Sequence, residues 1–477
     1  MGLLKMGEKD PFALSQIEVF LPTRRACIEV QRAIMRQGKE RCFLLPKLTP
    51  LGDLDEDDVF LSSHLDEYEL RPLIPSFERL SLLTKLIEDY AEKSGLPSTP
   101  ALSLKLAKSL VSLIDQATIE NVPWEGLLHL VPSEFASHWQ LTLNFLDILT
   151  THWPKILEEK GVIEPYTRHH QLVKAMVSRW DKSPPLHPIL AAGSTGTMPA
   201  TFQLLQAIAN LPQGSVILPG LDTTLGEEET KELSACHPQY APTRFLQKMN
   251  LVPSEILPWP ALEEQNIGCL ARARLFAAAL KPSFTTTGPC PKNALEGVYQ
   301  VLCASPQEEA LAIAILLRQQ LELPHQQAAL ITSNLKLAER VREELKRWNI
   351  EIDSSAGEPL NQTPPGVFLN LCIEYAATPQ DQVALLSLLK HPLFRLSQPV
   401  GTLRSDIRRF EKTVLRQNKN PSPAASDDLS HKGRGYHSWL KTFQNLILPL
   451  TTIGKAPFEQ LASMHVTIAE ALSLDEL

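Results

Sequence analysis

The strongest constraint on this chain is a short apolar run, IEVFL at 17–21, followed at once by PTRRACIEVQRAIMRQG and then by CFLLPKL at 42–48. In the middle segment Ala26, Val30, Ala33 and Ile34 recur at helical spacing, so the order reads strand, helix, strand. A crossover of that length cannot be a hairpin. It is the building block of a parallel sheet, and it predicts an α/β protein.

The alternation then stops. From Pro75 to Trp180 the stretches SFERLSLLTKLIEDYAEKSG, SLKLAKSLVSLIDQATIE, HWQLTLNFLDILTTHWPKILEEKG and RHHQLVKAMVSRW carry apolar residues three and four apart, which predicts a helical insertion. Strand-like runs resume at ILAAG (189–193), with a helix over 199–211, GSVILPGL at 214–221 and a further helix within 237–249. KPSFTTTGPCPKNALEG (281–297) is rich in Pro, Gly and Thr and reads as a linker. Beyond it VYQVLCA, QAALITS and IEID read as strands separated by two helices. Two such halves outline a paired core. No short internal repeat argues for a solenoid.

A chain of 477 residues predicts about two to four domains. Hydrophobic residues at 43% and charged residues at 21% are ordinary for a folded protein, and 38 prolines against 21 glycines suit many helix starts and stiff connectors. The net charge of −8 lacks the basic footprint of a free-standing DNA-binding module, so any nucleic-acid contact must be local. Seven scattered cysteines form no C-x-x-C pair, which argues against a zinc ribbon, a dithiol redox site or a secreted disulfide framework and for a reducing cytoplasm. No apolar run has membrane-spanning length, and the first residues lack a signal-peptide core.

Candidate chemistry is sparse. AAGSTGTMP (191–199) resembles the start of a phosphate loop, yet it lacks the Lys of G-x-x-x-x-G-K-[ST], and no G-K-[ST] occurs in the chain. It has G-x-x-G rather than G-x-G-x-x-G, and Ser194 lacks the G-x-S-x-G spacing of a nucleophile elbow. Gly193 and Gly196 suit a tight turn with Thr197 capping the next helix, and Ser194 and Thr195 remain candidates for touching DNA. LPTRRA (21–26) places Thr23, Arg24 and Arg25 where a strand ends and a helix begins, a place for phosphate contacts or simply for solvated cations. Arg404, Arg408, Arg409, Lys412 and Arg416 fall at helical intervals on what a solvated face would also explain. The acidic run LGDLDEDDVF fails the calcium-loop pattern, and adjacent His169 and His170 diverge on a helix, so neither reads as a metal site.

Together, LPTRRA, LLPKLTPLGDLDED, SHWQLTLNFLDIL, PILAAGSTGTMPAT, SVILPGLD, HPQYAPTRFL, AGEPLNQTPPG and LLKHPLF resemble, in order from residue 17 to about 395, the alphaproteobacterial form of AddB. AddB is the second subunit of the AddAB helicase-nuclease that processes double-strand DNA breaks. The resemblance implies two degenerate superfamily 1 helicase-like (P-loop NTPase-like) cores with helical insertions. The first would be 1–74 plus 181–280 around an insertion at 75–180. After a linker at 281–296 the second would start at 297–396, followed by a truncated insertion at 397–477. It implies phosphate contacts by Thr23, Arg24 and Arg25, an AddA-type partner, and DNA held without regard to sequence.

Departures from the family sharpen the expectation. The strand, loop and helix that open the family's first core have no counterpart before Ile17, and the nuclease carboxylates and cluster cysteines have no positions here. The chain is therefore expected to be an N-terminal fragment, marginally soluble, without ATPase or nuclease activity and without a cofactor of its own. The family's iron–sulfur cluster and nuclease Mg2+ belong to a missing C-terminal domain, and ATP to the partner motor. The competing readings are an inert helical adaptor with no nucleic-acid role and, behind it, a nucleotide hydrolase with an unrecognised loop.

Overall fold

The structure is a computed structural model that describes residues 3, 12–37, 44–52, 54, 71–124, 148–259, 267–281, 293–324, 326–416, 437–454 and 456–473. The chain forms two compact units, Met1–Tyr299 and Gln300–Leu477. It is a helix-rich α/β protein with a small parallel sheet.

The sheet lies in the first unit and comprises β1 (Glu18–Leu21), β2 (Lys47–Pro50), β3 (Ile189–Ala192) and β4 (Gly214–Ile217). Its spatial order is β2-β1-β3-β4, all parallel, with Glu18 level with both Lys47 and Ile189. Helix α1 (Arg24–Gln37) carries the chain from β1 to β2. The second strand starts later than the apolar run suggests, at Lys47 instead of Cys42, because pairing with β1 decides its register. Likewise β4 ends at Ile217, short of the predicted Leu221.

Alternation along the strands builds a core on each face. Phe20, Ile189 and Ala191 point to one side, and Val19, Leu21 and Leu190 to the other, where Ala26 and Val30 of α1 cover them. On the first side lie Leu172, Val173, Met176 and Trp180 of α5, and Leu204, Leu205 and Ile208 of α6, whose ranges follow. Phe20 meets the Trp180 ring edge-on at 6.2 Å.

Between β2 and β3 the helices are α2 (Ser76–Lys93), α3 (Pro100–Ile119), α4 (Trp153–Lys160) and α5 (Pro165–Lys182). Leu83, Ile87, Leu110, Ile114 and Trp153 form their common core. A single parallel bridge between Leu73 and Ile163 ties the entrance of this segment to its exit. Inside it, Arg79 Nε donates to Glu164 Oε1 at 3.1 Å and Arg79 Nη2 to Asp115 Oδ1 at 2.8 Å, while Trp153 Nε1 donates to Glu164 Oε1 at 2.7 Å. After β3 come α6 (Pro199–Asn210), α7 (Glu227–Lys231), α8 (Tyr240–Lys248) and α9 (Ile267–Ala279).

The second unit departs from the sequence reading. Helices α10 (Pro306–Leu321) and α11 (Leu335–Lys346) form as expected, yet none of the predicted strands VYQVLCA, QAALITS or IEID forms a ladder among the described residues. The reason is incomplete coverage. Leu330, Ile350 and Ile352 pack against the core of the α10–α11 hairpin, whereas Leu302 and Ile331 are 88% and 94% exposed. A parallel sheet needs both faces covered, and among the described residues only the core of the α10–α11 hairpin packs against these segments. The helices α12 (Pro364–Ala377), α13 (Gln382–Lys390), α14 (Val400–Phe410), α15 (His437–Thr452) and α16 (Phe458–Ser473) share one core, in which Phe368, Phe410, Trp439, Phe443 and Leu472 meet.

Candidate nucleic-acid interface at the strand-order reversal

From β1 the chain goes outward to β2 on one side, and β3 and β4 follow on the other, so the strand order reverses between β1 and β3. Loops at the carboxyl ends of strands diverge at such a point and leave a crevice between them. The loop after β1 is Pro22-Thr23, and the loop after β3 is 193–198. They adjoin: a Cβ on Gly193 would lie 3.3 Å from Pro22 Cγ.

The structure thus brings both sequence-predicted groups to one end of one sheet. Thr23, Arg24 and Arg25 are exposed, while Ser194 and Thr195 are half-buried. Thr23 Oγ1 accepts from Ala26 N at 3.1 Å, so its hydroxyl caps α1 and fixes the direction in which the next residues leave the strand. Arg24 and Arg25 then occupy the first two positions of a helix whose first turn holds no acid. Cations at the positive end of a helix dipole oppose it by about 0.3–1 kcal/mol each, a local cost that an incoming anion offsets.

The second loop is shaped by two glycines with positive φ, +81° at Gly193 and +62° at Gly196. A Cβ on Gly196 would sit 3.0 Å from Phe245 Cδ2 and 3.2 Å from Leu205 Cδ1, so the turn is both left-handed and crowded. Ser194 Oγ accepts from Gly196 N at 3.4 Å. One expectation fails: the residue that caps α6 is Met198, not Thr197, and it supplies no side-chain hydrogen bond. Pro199 at the first helical position starts the helix instead by its fixed φ.

Beside this crevice, Thr201 and Ala200 at the start of α6 line a cavity of 230 Å³ together with Tyr166, His169 and His170 of α5 and Gly52 beyond β2. Burial holds the His170 imidazole below its ordinary value. Sequence reasoning singled out the two histidines only as metal ligands to be discounted, and no group of three or more His, Cys, Asp or Glu side chains able to hold a metal occurs among the described residues. Nothing in the sequence marked this cavity, because its lining comes from α5, α6 and Gly52, which only the tertiary packing brings together.

The second basic stretch lies on α14 and the turn after it. Leu403, Ile407 and Phe410 are buried, so Arg404, Arg408 and Arg409 share the exposed side. Arg416 instead pairs with Glu411, 2.6 Å from its Oε1, and Lys390 Nζ lies 2.6 Å from Oε2. These two cations hold the Glu411 carboxyl down at about 2.

The acidic run at 55–60, His138, Trp139 and the segment 282–292 of the predicted linker lie outside the described residues. Among the described residues no helix is long and apolar enough to cross a membrane. No family model matches the chain, and none of the curated proteins does either.

Proposed function

We propose that this chain guides DNA and acts as a scaffold in a helicase-nuclease that processes double-strand breaks for recombinational repair, in the cytoplasm beside an AddA-type motor subunit. The reading rests on the ordered AddB-like motifs. One observation carries it: Arg24 and Arg25 open a helix at the carboxyl end of β1, against a glycine-shaped loop at the reversal of strand order. In this reading residues 1–74 with 181–280, and 297–396, are degenerate helicase-like cores, and 75–180 and 397–477 are insertions. Thr23, Arg24, Arg25, Ser194 and Thr195 face phosphates and read no bases. With no Walker lysine after either loop, nucleotide turnover belongs to the partner, and the iron–sulfur cluster and nuclease Mg2+ belong to a further domain.

Fluorescence anisotropy with single-stranded and forked DNA tests this at low and moderate salt. Binding should be indifferent to sequence and weaken steeply with salt. The net charge of −8 favours the second reading, an inert helical adaptor. Absence of binding to either DNA by a chain that circular dichroism shows to be folded establishes the adaptor.

A further inference from the structure

Exposed cations on several helices of this chain meet an acid one turn away: Arg32 with Glu29 at 2.8 Å, Arg318 with Glu322 at 3.3 Å, Lys346 with Glu343 at 2.7 Å and Arg347 with Glu344 at 2.8 Å. Helix α14 and the π turn that continues it, Glu411–Leu415, break that pattern. Arg404, Arg408, Arg409 and Lys412 are all exposed, and their side chains form no salt bridge or hydrogen bond among the described residues. The acids on the same stretch do not answer them. Glu411 is buried with both oxygens taken by Lys390 and Arg416, and half-buried Asp406 pairs with none of the four. In a chain whose net charge is −8, these cations stand together without a counter-charge. Like charges four residues apart repel within a helix, and a polyanion lying along the face removes that repulsion.

The cations stand on a fixed support. Leu403, Ile407 and Phe410 are buried in the core of the second unit, where Phe410 meets the Trp439 ring edge-on at 5.8 Å. The exposed residues around the cations, Gly401, Thr402, Ser405 and Thr413, are small, and among the described residues of 400–416 no large apolar side chain is exposed. A membrane surface binds through such side chains, and a protein partner needs an apolar or aromatic anchor at the centre of its interface. A nucleic-acid backbone needs neither. Arg404 and Arg408 lie one turn, about 6 Å, apart by helical rise, and guanidinium forks bond phosphate oxygens in pairs. We propose that the face of α14 carrying Arg404, Arg408, Arg409 and Lys412 is a second binding site for the sugar–phosphate backbone of DNA, additional to the one at the carboxyl ends of β1 and β3. The choice of DNA over RNA rests on the break-repair reading, whereas the phosphate contact rests on charge and shape alone.

Fluorescence anisotropy of the full chain with duplex DNA over a range of salt tests it, comparing wild type with the triple variant Arg404→Gln, Arg408→Gln, Arg409→Gln. All three side chains are exposed and Gln is a good helix former, so the circular dichroism should not change. The slope of log affinity against log salt should fall by about 0.9 for each phosphate no longer neutralised, up to about 2.7 in the triple variant. Lys412→Gln alone should lower it by about 0.9 and is the deciding variant if the triple variant does not fold. An unchanged slope in the folded variant overturns the proposal. So does unchanged DNA binding by a variant that has lost binding to polyglutamate or to phosphatidylserine vesicles, which assigns the face to an acidic protein or to a membrane. A slope that falls for duplex RNA and not for DNA overturns the choice of DNA. Arg24→Ala with Arg25→Ala, measured alongside, separates the two sites. A fall in slope there with none in the α14 variants overturns this site and leaves the first standing, and the reverse upholds this site and removes the first.

Discussion

Glu164 and Glu411 are both buried carboxylates flanked by cations, yet they respond to opposite forces. At Glu164 burial outweighs Arg79 and Trp153 and raises the carboxyl above its ordinary 4.5. Its contribution to stability is therefore greatest in acid and is lost as pH rises through the raised folded value. At Glu411, bonds from Lys390 and Arg416 dominate and hold the group at about 2, so its contribution is present above 4.5 and lost as pH falls through about 2. Glu411→Gln should accordingly lower stability at neutral pH and flatten its decline between pH 4.5 and 2, as followed by circular dichroism. Arg79→Ala leaves Glu164 buried without its cation, and a loss of about 3–5 kcal/mol is expected in urea unfolding. Burial also pushes the Cys372 thiol up to about 12, so iodoacetamide should label exposed Cys236 and spare Cys372 in the folded chain, as peptide mass spectrometry would read.

At the scale of elements, α1 and the loop after β3 carry the functional reading. Thr23→Ala removes the cap of α1 and should cost about 1 kcal/mol in chemical denaturation. Replacing Arg24 and Arg25 together by Ala should instead act on binding. The slope of log affinity against log salt for duplex arms should fall by about 0.9 for each phosphate that the protein no longer neutralises. An unchanged slope would remove these residues from the interface. The strand-then-helix order, the two cations and both glycines are legible in the sequence because each follows from local pattern. That the two loops adjoin is not, since β1 and β3 are separated by the whole helical insertion and meet only through non-local pairing. Thr197 looks like the cap of α6 for a related reason: a proline at the first helical position can start the helix without a side-chain cap, and local pattern does not show which of the two does so.

For the whole molecule, the contrast between the two units is the main result. In the first, helices on both faces close a four-stranded sheet. In the second, the same kind of sequence pattern yields a covered side and a bare side, with Leu302 and Ile331 exposed and no ladder among the described residues. Hydrogen exchange should therefore show residues 300–303 and 327–331 exchanging at close to unprotected rates while α10 and α11 stay protected. Slow exchange in those segments would show that they are paired in solution.

The sequence by itself determined the helices α1 to α6, α8, α10 and α11, where the first sheet begins, and that no phosphate-loop lysine or clustered cysteines are available. These follow from periodicity, turn chemistry and residue inventory, all of which act over a few residues. Only the tertiary structure decided the order β2-β1-β3-β4, the meeting of Pro22 with Gly193, the buried Arg79–Glu164 pair and the cavity at Thr201. It also decided that the second unit's strand-like segments go unpaired among the described residues. Each depends on which distant surfaces come together to exclude water, and a period of two or of 3.6 marks a face that must be covered without saying what covers it.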